Sequence, residues 1–190
     1  MMRLPRHDTG FVHQLKITLL GVEPAVWRRL QVTSSLTLER LHTVIQKVLG
    51  WQNAHLYEFE VRGRRYGVPE PEEPEYEVEP VWKITLREAA PAEGTSFRYV
   101  YDLGDGWTHE ILAERIENPD KPLGHPVCIA GERRCPPEDC GGPGGYEALL
   151  AAIRDPDHPE HDDVVRWVGA GFEPEFFVVT AVNRKLRLLR

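Results

Sequence analysis

The hydrophobic period of the chain changes near residue 35, and this change constrains the fold more than any other feature. Apolar and polar residues alternate over residues 11–19 and 26–32, the pattern of two half-buried strands, with turn residues between them. After residue 37 the apolar residues recur at helical spacing instead. They are Leu38, Leu41, Ile45 and Val48, with Ser35 or Thr37 suited to cap the first turn and Gly50 to end the last. This part of the chain therefore predicts a β-hairpin followed by an amphipathic helix.

The remaining residues continue this mixture of strand and helix patterns. Strands are predicted at residues 56–61, 97–101 and 107–116, a short helical turn at 85–89, and helices from Tyr146 and from Asp162. Residues 176–188 fit either a strand or a helix, because β-branched residues precede apolar residues at helical spacing. The order predicts an α+β fold, in which a β-grasp-like antiparallel or mixed sheet packs on one main helix and is followed by a helical C-terminal part.

Length and composition indicate how these elements are grouped. A chain of 190 residues with 41% hydrophobic residues suits a single domain, residues 1–190. We expect the sheet and main helix to occupy about residues 10–117, and a cysteine-containing loop and helical part to occupy about residues 118–190. Residues 69–80 hold six Glu and four Pro, so they are predicted to form a solvated loop outside the core.

The charge and the apolar runs disfavour several classes of partner. A net charge of −7 disfavours sequence-independent nucleic-acid binding, which depends on Lys and Arg neutralising phosphates. No apolar run approaches the roughly 20 residues that span a bilayer, and residues 1–10 contain no apolar signal-peptide core. We therefore expect a cytoplasmic protein with reduced cysteines, whose partner is another protein or a small molecule.

All three cysteines lie in one segment rich in Pro and Gly, residues 128–146. Because Pro and Gly disfavour regular structure, we predict an irregular loop that forms a site or a clasp. Cys128, Cys135 and Cys140 are candidate thiolate ligands for zinc, with His125 or His109 as the fourth ligand. The alternative is three buried free thiols, since six and then four intervening residues differ from the short paired spacing of common zinc sites.

A second group of residues suggests acid–base chemistry. Asp105 and His109 belong to one predicted hairpin, and Glu138 and Asp139 to the cysteine loop. A carboxylate beside a histidine raises the pKa of the imidazole, the usual arrangement for a general base. We expect the two segments to meet at one pocket, with the pKa of His109 above its ordinary value of about 6.5. The alternative assigns the carboxylates to turns and caps, and His109 to the half-buried face that it shares with Trp107.

Aromatic residues form a candidate binding surface. They are Trp51, His55, Tyr57, Tyr101 and Trp107. Aromatic side chains near histidines often line ligand grooves, and the alternative is that they belong to the core.

Three motifs stand in order along the chain. They are Gly50-Trp51 with His55-Leu56-Tyr57, the run Tyr101 to Ile111, and the run Cys135 to Gly142 with Cys128 and Gly131 before it. Together they resemble the plasmid pRiA4b ORF-3-like family, also labelled an insertion-element passenger protein of TnpR type, over about residues 11–186. The resemblance implies a plasmid or mobile-element origin and no particular reaction. The TnpR label suggests a resolvase, but Ser34, Ser35 and Ser96 are the only serines and lie at predicted cap and strand-start positions, which argues against a serine recombinase.

These observations favour a non-catalytic binding or accessory protein of plasmid or mobile-element origin. One alternative is a metal-assisted hydrolase that uses the cysteine loop with Asp105, His109, Glu138 and Asp139. A second alternative is a DNA-binding accessory protein, for which the basic tail at residues 184–190 is the only local cluster of positive charge.

Overall fold

The computed structural model describes residues 10–69 and 77–189, which combine one mixed sheet with helices. The strands are β1 (Val12–Leu19), β2 (Trp27–Thr33), β3 (Tyr57–Val61), β4 (Arg64–Gly67), β5 (Glu79–Pro80), β6 (Ser96–Tyr101), β7 (Trp107–Glu117) and β8 (Val127–Glu132). The helices are α1 (Leu38–Leu49), α2 (Leu86–Ala89), α3 (Gly142–Arg154), α4 (His161–Val168) and α5 (Val179–Leu186), and a 3₁₀ turn lies at Val81–Lys83. The α+β class predicted from the sequence is confirmed.

In the sheet, the predicted N-terminal hairpin β1–β2 lies beside β7, the longest strand. Across the described residues the eight strands lie in the order β5-β4-β3-β6-β7-β1-β2-β8. Neighbouring strands are antiparallel, except that β4 and β5 are parallel. Strand β8 pairs with β2, so the sheet extends beyond residue 117, where we expected the sheet part to end. The finer prediction of a β-grasp topology stays a prediction.

Helix α1 is the element that the sequence pattern defines most clearly. The hydroxyl of Thr37 accepts a hydrogen bond from the Arg40 amide, and Gly50 ends the helix in the left-handed conformation, with φ 88°. The predicted apolar stripe is buried in the core. Burial of such a stripe against a sheet stabilises the helix far more than propensity alone.

The prediction of an irregular loop over residues 128–146 is wrong at both ends of that segment. Its first residues form most of β8, and Gly142 begins α3, so only residues 133–141 are irregular. A side chain at Gly145 would place its Cβ 1.9 Å from the carbonyl oxygen of Cys140. The glycine run therefore allows the first turn of α3 to pack closely against the loop that precedes it.

Three other segments test the sequence predictions. Within the acidic segment, residues 70–76 lie outside the described residues, whereas Glu79–Pro80 forms β5 and is half-buried, so this end of the segment belongs to the sheet. The short turn predicted at 85–89 is confirmed as α2, capped by Thr85. The ambiguous C-terminal segment contains the helix α5.

One buried arginine joins the sheet edge to the main helix. The guanidinium group of Arg28 donates to the backbone carbonyls of Trp27, Val48, Glu132 and Arg133 at 2.8–3.3 Å. Its guanidinium carbon lies 4.0 Å from the ring centroid of Phe177. Burial lowers the pKa of Arg28, because removal from water disfavours the charged guanidinium. These bonds fix the end of β8, and so the start of the irregular loop, relative to α1.

Candidate binding site at the end of helix α1

Three segments distant in sequence meet beyond the last turn of α1. They are the residues after Gly50, the turn between β6 and β7, and the irregular loop 133–141. The indole Nε1–H of Trp51 donates to the carbonyl oxygen of Pro136 at 2.9 Å, and its ring stacks on Tyr101 with centroids 5.0 Å apart. Because Trp51 is buried by these contacts, the loop is held against both the helix and the sheet.

Glu138 forms a second connection among the same three segments. One carboxylate oxygen, Oε1, accepts from the Tyr101 hydroxyl at 2.5 Å, and Oε2 accepts from the Gln52 amide at 2.9 Å. Burial, followed by the bond to Glu138, raises the pKa of Tyr101 well above its ordinary value, so the phenol stays protonated and acts as the donor. Both oxygens of Glu138 are thus engaged in structural bonds.

His55 lies between two carboxylates. Its Nε2 is 3.0 Å from Oδ1 of Asp139 and 3.6 Å from Oδ2 of Asp102. The other oxygen of Asp102 accepts from the amides of Gly104 and Asp105, which fixes this carboxylate in the turn. Asp139 is 71% exposed, whereas the side chain of Asp102 is mostly buried, so the group opens to solvent on one side.

Asp105 connects the turn to the start of α3. Its Oδ2 accepts from the amide of Gly141 at 3.1 Å. The backbone of Gly142 passes so close to the carbonyl of Asp105 that a Cβ there would lie 2.4 Å from the oxygen. The predicted meeting of the hairpin with the cysteine loop therefore occurs through Asp105, Asp102 and Tyr101.

The prediction for His109 is wrong. The side chain is fully buried between Trp51 and Tyr99, and its Nδ1 donates to the Trp107 carbonyl oxygen at 3.1 Å. Burial lowers the pKa of His109 to about 4, although it was expected to rise. The bonds of Glu138 go to Tyr101 and Gln52 instead. The alternative, a half-buried histidine on the face that it shares with Trp107, is right about the face, but His109 is fully buried.

Comparison with known proteins places the chain in a family. The family model for plasmid pRiA4b ORF-3-like proteins matches residues 11–181. The chain belongs to this family. An uncharacterised protein of Sinorhizobium fredii, y4hQ, is 41% identical over 160 residues, which is 84% of this chain and 81% of that one. The crystal structure of MM3350 from Methanosarcina mazei Go1, a protein of unknown function, superposes with a TM-score of 0.82 at 34% identity, covering 90% of this chain and 97% of that one. Neither relative's name indicates a catalytic function.

The predicted cysteine ligands of this ORF-3-like protein do not converge. Within residues 10–69 and 77–189, His55, Asp102 and Asp139 form the one group of three or more candidate ligands whose donor atoms all lie within 4.8 Å of one another. Cys128 is on β8, and Cys135 is fully enclosed near Arg28, while His125 lines a different cleft beside Leu36 and Leu188. Burial raises the pKa of the Cys135 thiol to about 11, which keeps it protonated.

The predicted aromatic surface divides into a buried and a half-buried part. Trp51, Tyr101 and Trp107 are core residues, as the alternative interpretation held, whereas His55 and Tyr57 are half-buried. Trp51, Tyr101 and Trp107 therefore serve the packing of the core. Whether any of them contacts a ligand stays a prediction.

Sequence reasoning assigned no functional role to His42, which is buried on α1. Its ring stacks on Tyr57 at 3.4 Å, Nδ1 is 2.8 Å from the Tyr99 hydroxyl, and Nε2 is 2.6 Å from Oδ1 of Asn53. Burial lowers the pKa of His42 to about 4. The sequence signal for its burial was its position next to the apolar stripe of α1.

A cleft of about 560 Å³ lies beside Trp51. It is lined by the end of α1, the irregular loop and the end of α4, and its lining includes Arg134, Glu138, Asp139, Trp167, Phe172 and Lys185. Trp167 is 54% exposed. The guanidinium of Arg134 lies over the rings of Phe172 and Phe176, at 5.2 and 5.6 Å. The cleft therefore combines exposed aromatic surface with charges of both signs.

Proposed function

We propose that this ORF-3-like protein is a non-catalytic binding protein, and that it binds a peptide segment of a partner protein in the cleft beside Trp51. The observation that carries the proposal is the exposed indole of Trp167 in a cleft that also holds Arg134, Lys185 and two carboxylates. Tryptophan and arginine are the residues that most often dominate protein interfaces. A peptide offers apolar side chains together with charges of both signs, which matches such a lining.

The state of the predicted acid–base groups supports binding over hydrolysis. His109 is enclosed and neutral, and Cys135 is enclosed as a thiol. Glu138 uses both oxygens to hold Tyr101 and Gln52. A general base has to reach the proton that it removes, so these groups serve packing better than chemistry.

The charge of the cleft also favours a peptide over DNA. Glu138 and Asp139 line the same cleft as Arg134 and Lys185. Carboxylates repel phosphates, and the chain carries a net charge of −7, so no uniformly basic track is available here.

Several broader predictions accompany this proposal. We propose a single domain over residues 1–190, because the buried core runs from Leu15 to Leu186. A β-grasp kinship is supported by the hairpin β1–β2 followed by α1 and β3. A plasmid or mobile-element origin is consistent with the family name. A cytoplasmic location is consistent with three free cysteines, and no helix among the described residues is long and apolar enough to cross a membrane.

The test uses peptides selected by the protein itself. A displayed library of random peptides is selected on immobilised protein, and the affinities of the selected peptides are measured for the parent, Trp167→Ala and Trp82→Ala. Trp82 is a matched control because it is 45% exposed and lies near the first turn of α1, where the Leu38 amide bonds to Ile84. We expect Trp167→Ala to weaken binding at least about tenfold, as loss of a hot-spot residue does, and Trp82→Ala to leave it unchanged. Equal affinity for the parent and Trp167→Ala, or the absence of any selected peptide, would contradict the proposal.

A further inference from the structure

We propose that His55, Asp102 and Asp139 bind one divalent transition-metal ion, with Zn²⁺ as the best match. This site is separate in chemistry from the peptide cleft, although Asp139 lines both. It also differs from the predicted cysteine site, because its donors are one imidazole nitrogen and two carboxylate oxygens.

The spacing of the three donor atoms suits a small ion. The distances from Nε2 of His55 to the two carboxylate oxygens are 3.0 and 3.6 Å. A tetrahedral ion with ligands at about 2.0–2.1 Å separates neighbouring donor atoms by about 3.3 Å. The two distances from His55 lie on either side of that value, and all three donor atoms lie within 4.8 Å of one another, so rotation of the side chains can bring them to one centre.

The orientation of His55 is an independent sign of a ligand. Although Nε2 is 3.0 Å from a carboxylate oxygen, it is buried and makes no hydrogen bond to any residue that the structure describes. A histidine placed to bond a carboxylate would align its N–H with that oxygen. When a nitrogen and two oxygens share an ion, their lone pairs point at the ion instead of at each other. The misaligned short contact fits that arrangement.

The surroundings fix each ligand while leaving one donor atom available. Oδ1 of Asp102 is occupied by two backbone amides, which leaves Oδ2 facing His55. The ring of His55 packs edge-on against Tyr101, 5.8 Å between centroids. Asp139 follows Glu138, which the Tyr101 hydroxyl and the Gln52 amide anchor. Such support around the ligands is what orients a metal site.

Charge and donor type select the ion. Two carboxylates and a neutral imidazole carry a charge of −2, which a divalent cation neutralises. An imidazole ligand favours Zn²⁺ and its neighbours in the first transition row over Mg²⁺ and Ca²⁺, which prefer oxygen ligands only. Because Asp139 is 71% exposed and His55 is 29% exposed, an ion can enter from solvent.

The test is calorimetric titration of the full chain, freed of metal with a chelator, with Zn²⁺ and separately with Mg²⁺. We expect one Zn²⁺ per chain and much weaker Mg²⁺ binding. Asp139→Asn and His55→Gln should each weaken Zn²⁺ binding at least tenfold, whereas Asp162→Asn, an exposed acid on α4, should not. Circular dichroism checks that each variant folds, and Asp139→Asn changes only an exposed carboxylate.

A second measurement separates this site from the thiols. Co²⁺ bound through His55 and carboxylates gives visible bands without a thiolate charge-transfer band, and Cys140→Ser should leave the spectrum unchanged. Absence of Zn²⁺ binding, equal affinity in the parent, Asp139→Asn and His55→Gln, or a thiolate band that disappears in Cys140→Ser would each overturn the proposal.

Discussion

The hydroxyl of Tyr101, at the end of β6, donates a 2.5 Å hydrogen bond to Oε1 of Glu138 in the irregular loop. The other oxygen of Glu138 accepts from the Gln52 amide just beyond α1. One carboxylate therefore joins three segments that lie far apart in the sequence. Since hydrogen bonds to charged groups are stronger than neutral ones, this contact should contribute measurably to stability.

We predict strong energetic coupling between Tyr101 and Glu138. In a double-mutant cycle of Tyr101→Phe and Glu138→Ala, the coupling in the free energy of unfolding should be about 1–3 kcal/mol. Urea denaturation of the four proteins measures it. A coupling near zero would show that the hydroxyl and the carboxylate do not interact in solution.

Two neighbouring glycines of α3 should respond in opposite ways to alanine. At Gly145 a Cβ would lie 1.9 Å from the Cys140 carbonyl oxygen, whereas a Cβ at Gly144 would meet no described atom within 4 Å outside its chain neighbours and its own helix backbone. Gly145→Ala should therefore destabilise the protein by more than about 1 kcal/mol, because backbone has to shift. Gly144→Ala should be neutral or stabilising by about 0.4–1 kcal/mol, as alanine favours the helix. Thermal and urea unfolding compare them, and similar losses in both variants would contradict the packing of α3 on the loop.

Arg28 should be far more important for stability than an exposed arginine of the same sheet. Arg28→Met leaves four backbone carbonyls without their donor, and the loss should exceed about 3 kcal/mol. Arg98→Met removes an exposed pair to Glu60 at 3.9 Å and should change stability by less than about 1 kcal/mol. Urea denaturation at neutral pH provides the comparison. An Arg28→Met variant as stable as Arg98→Met would show that these carbonyls are solvated.

Stability should fall as the pH is lowered from 7.5 to 5. Burial lowers the pKa of His42 and of His109 to about 4, so the unfolded chain, with ordinary values near 6.5, binds protons that the folded chain does not. This stability is complete above pH 6.5 and is lost below it, by about 2 kcal/mol per histidine at pH 5. Urea denaturation with a chelator present measures the loss. We expect it to be smaller in His109→Gln, and a His109 resonance titrating near pH 6.5 would contradict the burial.

The sequence predicted the elements that depend on local patterns. The spacing of Leu38, Leu41 and Ile45, the Thr37 cap and the Gly50 stop together define α1. The sequence also showed that His109 and Trp107, two residues apart in a strand, share one face. It did not reveal that this face is enclosed. Burial depends on Trp51 and the loop that it holds, which come from distant parts of the chain.

The parts that the sequence did not reveal depend on long-range packing. Gly142 and Gly145, in the first turn of α3, disfavour a helix locally, and their close approach to Asp105 and Cys140 accounts for them. The His55, Asp102 and Asp139 group brings together three segments through left-handed turns at the two aspartates, with φ of 55° and 60°. Sequence spacing gives no distance between such segments.

The most direct test of the proposed binding function is to observe the tryptophan indoles by NMR while a selected peptide is added. The chain has five tryptophans, so their Nε1–H signals form a small set that single Trp→Phe variants assign. We predict that the signals of Trp167 and Trp51 shift, because both line the cleft, and that those of Trp27 and Trp82 do not. Shifts confined to Trp27 or Trp82, or no shift of Trp167 at saturating peptide, would contradict the account.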